Sequence, residues 1–323
     1  MKSSRAIKKT SLAIVGCGIV RADLEDSEMT GVAMHTLVFD VYGTLVDTTD
    51  IITLLEVKLG ERAAFFAKQW RNKQLEYSYR MGLMRWYKPF SQCMRYAFEY
   101  TCEEFCVSFT AEEKEALFLR NLSLPAFDDV STAMPKFALT DADCFAFSNG
   151  TAADVNAVLT YADIHPYLQD VISVDPIKMF KPSRIAYMYL VESIARYKAG
   201  LENPDVVKKQ GNEAADSPSQ ISDLNAPERG CLHYVESGMD DEDESDTHSQ
   251  GSSLSLPDLN TVWLISSNPF DVIGAKVAGL QSVWIRRSAS SVFDPWGVEP
   301  TITVANLTEL YDVLRYRNVI IPM

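Results

Sequence analysis

The stretch Thr36-Leu-Val-Phe-Asp-Val-Tyr-Gly-Thr-Leu-Val-Asp47 constrains the fold more than any other part of the chain. Leu37, Val38 and Phe39 form a short apolar run, as a strand buried on both faces requires. The run stops at Asp40, Gly43 permits a tight turn, and Thr44 offers a hydroxyl beside it. Ligands of open α/β sheets sit outside the carboxyl ends of the strands, so Asp40 is a carboxylate presented where chemistry usually occurs. Taken alone, a strand-end Asp more often caps the next helix or closes an Asx turn. The rest of the chain has to decide between the two.

After residue 48 the pattern turns helical as far as about residue 128. Apolar residues recur at helical spacing through Ile51, Leu54, Leu55, Leu59, Phe65, Phe66 and Trp70, and again through Leu75, Tyr79, Leu83, Trp86 and Phe90. Thr110-Ala-Glu-Glu113 reads as a capping box that opens a further helix, and Pro125 breaks the series. From residue 142 short apolar runs alternate with helical stretches. Strands are expected over 144–147, 171–174, 261–265, 282–285 and 301–304. That alternation implies a parallel sheet in an α/β fold.

Two segments stand apart. Of the net charge of −14, the stretch 202–258 alone carries −11, from 14 acidic and three basic side chains. Poor in apolar residues, 201–257 is expected to be a disordered acidic insert on a surface connection. The acidity therefore says little about a binding surface, and no basic cluster in the body suggests nucleic acid as a partner. Residues 1–33 are expected to be a disordered extension. Lys2, Arg5, Lys8 and Lys9 precede an apolar run, but Arg21 follows at once without a clean cleavage site. The absence of acidic residues before Asp23 leaves a mitochondrial presequence open beside a cytoplasmic location. No apolar run is long enough for a membrane-spanning helix. The six cysteines contain no CxxC pair and the four histidines are scattered, which disfavours a zinc site or histidine-based catalysis.

Polar groups collect at the ends of the strands: Asp40 with Thr44, Ser148 with Asn149, Lys181 downstream of the third, and Ser266 with Asn268 and Asp271. Each has an ordinary explanation as a turn or cap. Together, in this order, they resemble the four motifs of the haloacid dehalogenase (HAD) superfamily, whose nucleophile is the Asp at position 40. The resemblance implies a Rossmannoid parallel-sheet core over 34–48 and 129–323, with an all-helical cap domain, 49–128, inserted after the first strand.

The departures from the superfamily's phosphatases carry information. Those enzymes have a second Asp two residues after the nucleophile, where this chain has Tyr42, and an acidic pair in the last motif, where it has Ser266 and Ser267. Both replacements match the L-2-haloacid dehalogenase branch. Trp70-Arg-Asn-Lys-Gln-Leu-Glu-Tyr77 is similar to that branch's cap signature, whose Arg receives the halide.

What the resemblance implies is hydrolysis of short L-2-haloacids to D-2-hydroxyacids through an ester on Asp40, with no metal and no cofactor. Thr44, Arg71, Lys181, Ser266, Asn268 and Asp271 would complete the catalytic set. Tyr42, Leu75, Phe90, Ser148, Asn149, Tyr187 and Phe270 would line the substrate pocket. Arg71 and Asn149 would take the departing halide, Lys181 would keep Asp40 ionised, and Asp271 with Asn268 would direct the water. Dimers are common in the branch, so a homodimer is implied by analogy. The rival readings are a phosphatase of the same superfamily acting on a small phosphate ester, a non-catalytic HAD-like interaction protein using the acidic insert, and a hydrolase of the same mechanism with another substrate.

Overall fold

The computed structural model describes residues 34–201 and 254–323, all within one compact unit, Met34–Met323. The N-terminal extension expected over 1–33 and nearly all of the acidic insert expected over 201–257 lie outside the described residues.

Six strands form one parallel sheet: β1 (Thr36–Asp40), β2 (Asp143–Ser148), β3 (Asp170–Ser173), β4 (Val262–Ser266), β5 (Gln281–Ile285) and β6 (Ile302–Val304). Their order is β3-β2-β1-β4-β5-β6. Every residue of β1 is buried, as a strand covered on both faces requires. Side chains alternate between the two faces with period two. Leu37, Phe39, Cys144, Ala146, Trp263 and Ile265 point to one face. They meet α5 (Asp128–Phe137), α6 (Ala152–Tyr161) and α9 (Leu307–Tyr316). Val38, Phe145, Phe147, Val262 and Leu264 point to the other, against α7 (Arg184–Lys198) and α8 (Pro269–Val277). Burying each such large side chain is worth about 1.5–3 kcal/mol, so the central strand is held by apolar contacts on both faces.

Four helices follow β1: α1 (Ile52–Leu59), α2 (Ala63–Leu83), α3 (Phe90–Glu104) and α4 (Ala111–Arg120). They enclose a separate core of Leu55, Phe66, Trp70, Phe98, Leu117 and Phe118. Thr110 and Glu113 form the capping box read from the sequence, with both reciprocal bonds made. Several residues of the apolar series are exposed, namely Leu54, Phe65, Leu83 and Trp86. Successive helical residues point about 100° apart, so Leu54 and Phe65 cannot share a face with their buried neighbours Leu55 and Phe66. Leu83 and Trp86 lie where α2 ends. The chain leaves for these helices and returns from them at adjacent points. Asp47 donates its amide to Pro125 at 2.8 Å, and Phe127 donates to Leu45 at 3.2 Å.

The observed strands lie within one or two residues of the expected ones. The reversal of strand order falls between β1 and β4, where an open sheet leaves a crevice at its carboxyl end. Among the described residues no helix is long and apolar enough to cross a membrane.

Candidate active site

Asp40 ends β1 at that crevice and is almost fully buried. It caps no helix. Its Oδ2 accepts from Thr44 Oγ1 at 2.8 Å, Ser266 Oγ at 3.0 Å and Asn268 Nδ2 at 2.7 Å, while Oδ1 accepts from Lys181 Nζ at 2.8 Å. Local geometry explains the convergence. The amides of Thr44, Leu45 and Val46 all donate to the Val41 carbonyl, and Gly43 sits at φ +83°, a left-handed conformation that glycine adopts without strain. The tight turn folds Thr44 back onto Asp40. Ser266 ends β4, the parallel neighbour of β1, so the two strand ends are adjacent. Asn268 stands at the N-terminus of α8 without a side-chain cap bond, and its Nδ2 donates to Asp40 instead.

A second carboxylate lies beyond Lys181. The ammonium donates to Asp271 Oδ2 at 2.7 Å and to the Phe147 carbonyl at 3.2 Å, and Tyr187 donates its hydroxyl to Asp271 Oδ1 at 2.8 Å. Burial alone would raise the Asp40 carboxyl, but the Lys181 charge and the donors around it prevail and hold it below the usual carboxylate value. Burial raises Asp271, and the charge of Asp40 adds to that, against the opposing pull of Lys181. Burial would lower the Lys181 ammonium, yet two flanking carboxylates lift it above its ordinary value. Lys181 is therefore charged between two acids of unequal strength.

Arg71 and Gln74 come from α2, with Arg71 Nη1 donating to Gln74 Oε1 at 3.2 Å. The Arg71 guanidinium lies 5.8 Å from the centre of the Phe90 ring. Burial lowers it, while the charge of Asp40 draws it back. Asn149 accepts the Lys181 amide on Oδ1 at 2.9 Å, and its Nδ2 has no hydrogen-bond partner among the described residues. Phe270 meets Tyr79 edge to face at 5.5 Å, so α2 touches α8 beside the crevice. Tyr42 lends its carbonyl to Asn268 at 3.3 Å, and burial raises its phenol. Leu75 packs on the apolar cluster that holds Phe90 and Met81. The buried Ser148 hydroxyl accepts from the Gly150 amide at 3.1 Å. Neither Leu75 nor Ser148 bonds to Asp40.

Several participants carried little signal. Gln74 is buried and stands three residues from Arg71, a helical spacing that could have paired them. Ser267 donates its amide to Thr44 Oγ1 at 2.8 Å and its hydroxyl to the Gly43 carbonyl at 2.7 Å. Gly274 lets α8 approach Tyr187, because a Cβ there would stand 2.5 Å from the phenol oxygen and 2.7 Å from Pro182 Cβ. No local pattern announces that contact.

A family model for haloacid dehalogenase-like hydrolases matches residues 34–201. The chain belongs to that family. This haloacid dehalogenase-like hydrolase is 22% identical over 277 residues to an (S)-2-haloacid dehalogenase of Pseudomonas sp. (strain YL), covering 86% of this chain and 93% of that protein. It is 26% identical over 232 residues to an (S)-2-haloacid dehalogenase of Pseudomonas putida, covering 72% and 96%. Among solved structures, the L-2-haloacid dehalogenase from Xanthobacter autotrophicus with covalently bound chloropropionic acid superposes with a TM-score of 0.63 at 20% identity, covering 87% of this chain and 98% of that one. That likeness establishes the HAD-like fold.

Metal-dependent members of the superfamily hold magnesium beside the nucleophile, and the donors here do not fit that ion. Magnesium wants carboxylate and water oxygens in octahedral array. Asp40 and Asp271 instead share the Lys181 ammonium between them, and Tyr42 follows Asp40 where a further carboxylate would stand. A divalent cation bridging the two acids would meet that ammonium.

Proposed function

We propose that this hydrolase removes halide from short L-2-haloacids through an ester on Asp40, without a metal. The observation that carries the reading is the unequal dressing of the Asp40 carboxylate. Three neutral donors hold Oδ2, whereas Oδ1 meets only the Lys181 ammonium and keeps electron density for attack.

Oδ1 forms a bond to C2 as the carbon–halogen bond breaks, and the halide leaves with the bonding pair. Arg71, oriented by a neutral Gln74 that leaves its charge unspent, and the Asn149 amide receive it. Tyr42, Leu75, Phe90 and Phe270 supply apolar wall, and Ser148 holds the substrate carboxylate. In the ester, Oδ2 becomes the carbonyl oxygen. The donors on it, at 2.7–3.0 Å, form an oxyanion hole for the addition of water. Asp271, raised by burial and steadied by Tyr187, takes the proton from that water. The bond between Cγ and the ester oxygen then breaks, and that oxygen takes up the second proton of the water. The product leaves as the D-2-hydroxyacid, inverted at C2, and Asp40 regains a carboxylate carrying the water oxygen. The covalently bound chloropropionic acid in the Xanthobacter enzyme supports this route.

The test is halide release from L-2-chloropropionate in excess EDTA, with p-nitrophenyl phosphate as the comparison. Halide release unaffected by EDTA is expected. Phosphate release that depends on added magnesium would reassign the enzyme to the phosphatases.

A further inference from the structure

We propose that Arg287, just beyond β5, is a positioning residue that sets the Asp40 carboxylate by clamping the turn that carries Thr44 to the point where the helical domain rejoins the core. Its Nη2 donates to the Thr44 carbonyl at 2.5 Å, which has no other partner among the described residues. Its Nη1 meets Asp129 Oδ1 at 2.5 Å, at the start of α5. Asp129 Oδ2 accepts the Leu307 amide at 2.7 Å, which brings in the N-terminus of α9. The guanidinium also lies 4.1 Å from the centre of the Phe127 ring, the residue just before α5.

The other side of the same turn faces the chemistry. Thr44 donates its hydroxyl to Asp40 and accepts the Ser267 amide. Its carbonyl is held from one side and its hydroxyl from the other, so the clamp fixes the residue that bonds Oδ2. A planar guanidinium can direct two donors to separate acceptors at fixed angles, which a lysine ammonium on a flexible stem does poorly. The alternative is an ion pair that merely joins the end of β5 to α5. It predicts a loss of stability and no change in the nucleophile.

The inference rests on the proposed reaction only for its assay. In the full chain, Arg287→Gln should lower kcat for L-2-chloropropionate on the order of tenfold, as loss of a catalytic alignment does, with KM changed much less. The acid limb of its kcat/KM profile should move up, because a loosened Thr44 no longer favours ionised Asp40. Arg287→Lys should recover only part of the rate. Asp129→Asn breaks the ion pair but keeps the bond to Thr44, so it should lower the melting temperature and leave the acid limb in place. Equal acid limbs in wild type and Arg287→Gln would overturn the assignment, as would an Asp129→Asn profile that moves as far as that of Arg287→Gln. If wild type releases no halide from L-2-chloropropionate, the proposed reaction fails. The clamp is then decided by titrating the Asp40 carboxyl by carbon-13 NMR. An upward shift in Arg287→Gln supports it, and an unchanged titration overturns it.

Discussion

Lys181 reaches Asp40 from 141 residues along the chain and sets its ammonium 2.8 Å from Oδ1. The same ammonium is 2.7 Å from Asp271, so one buried cation serves two carboxylates. Each acid has other partners, but none of those partners carries a charge. Lys181 is therefore the cation in direct contact with both acids, while the Arg71 guanidinium acts on Asp40 through its charge without a hydrogen bond.

Replacing Lys181 should expose how far both acids depend on it. In wild type, Asp40 titrates below its ordinary value of 3.8, so its stabilising contribution is present at neutral pH and lost as pH falls through the depressed value. Lys181 titrates above its ordinary 10.5, so its contribution is complete below that value and is lost as pH rises through the raised one. Lys181→Gln leaves two buried acids uncompensated and should cost about 3–5 kcal/mol at pH 7. The cost should shrink toward acid pH, as the acids protonate through their newly raised values. Urea unfolding at two pH values measures this. An equal cost at both would mean that the pair contributes nothing electrostatic.

Asp40→Asn should abolish halide release, since an amide is a poor nucleophile at carbon. A drop of several orders of magnitude is expected where covalent catalysis carries the barrier reduction. Labelled water should enter the Asp40 carboxylate of wild type in the first turnover and reach product only later. Label in the product of a single turnover would replace the ester by direct attack of water.

Arg71→Lys should slow halide release about tenfold or more, because Lys lacks the planar fork and the bond to Gln74 that orients it. Gln74→Glu should also slow it, by spending the charge of Arg71 on a neighbouring carboxylate. Steady-state kinetics with chloride and bromide substrates measure both. A wild-type rate in Arg71→Ala would make Arg71 a surface charge only.

Gly274→Ala should destabilise the fold by about 1–3 kcal/mol, the usual cost of an added methyl group in a filled site. The new Cβ would stand 2.5 Å from the Tyr187 phenol and 2.7 Å from Pro182. Tyr187→Phe removes the nearer atom, so the double variant should be less destabilised than the sum of the singles. Because Pro182 and the ring carbon at 2.8 Å remain, rescue should be incomplete. Strict additivity, read from chemical denaturation, would show that Tyr187 is not what the methyl group meets.

Much of the architecture was already legible in the order of residues. Buried strands need short apolar runs, and those at 37–39, 144–147 and 262–265 could hardly be anything else in an alternating chain. The carboxyl ends of those runs also named Asp40, Ser148 and Ser266, since strand ends and turns are local features. Pairings that close over long separations were a different matter. Which oxygen of Asp40 is held by neutral donors, that Asp271 shares Lys181 with it, and that Arg287 grips the Thr44 carbonyl all depend on strands brought side by side by the sheet order. The apolar series through Leu54, Phe65, Leu83 and Trp86 likewise left open which residues face inward, because a helix turns one face to its core and the packing of α1, α2 and α3 on one another selects that face. Composition and local pattern determined the α/β fold and the polar residues at its strand ends. Tertiary structure decided the charge state and orientation of each group, because hydrogen bonds and desolvation act through space rather than along the chain.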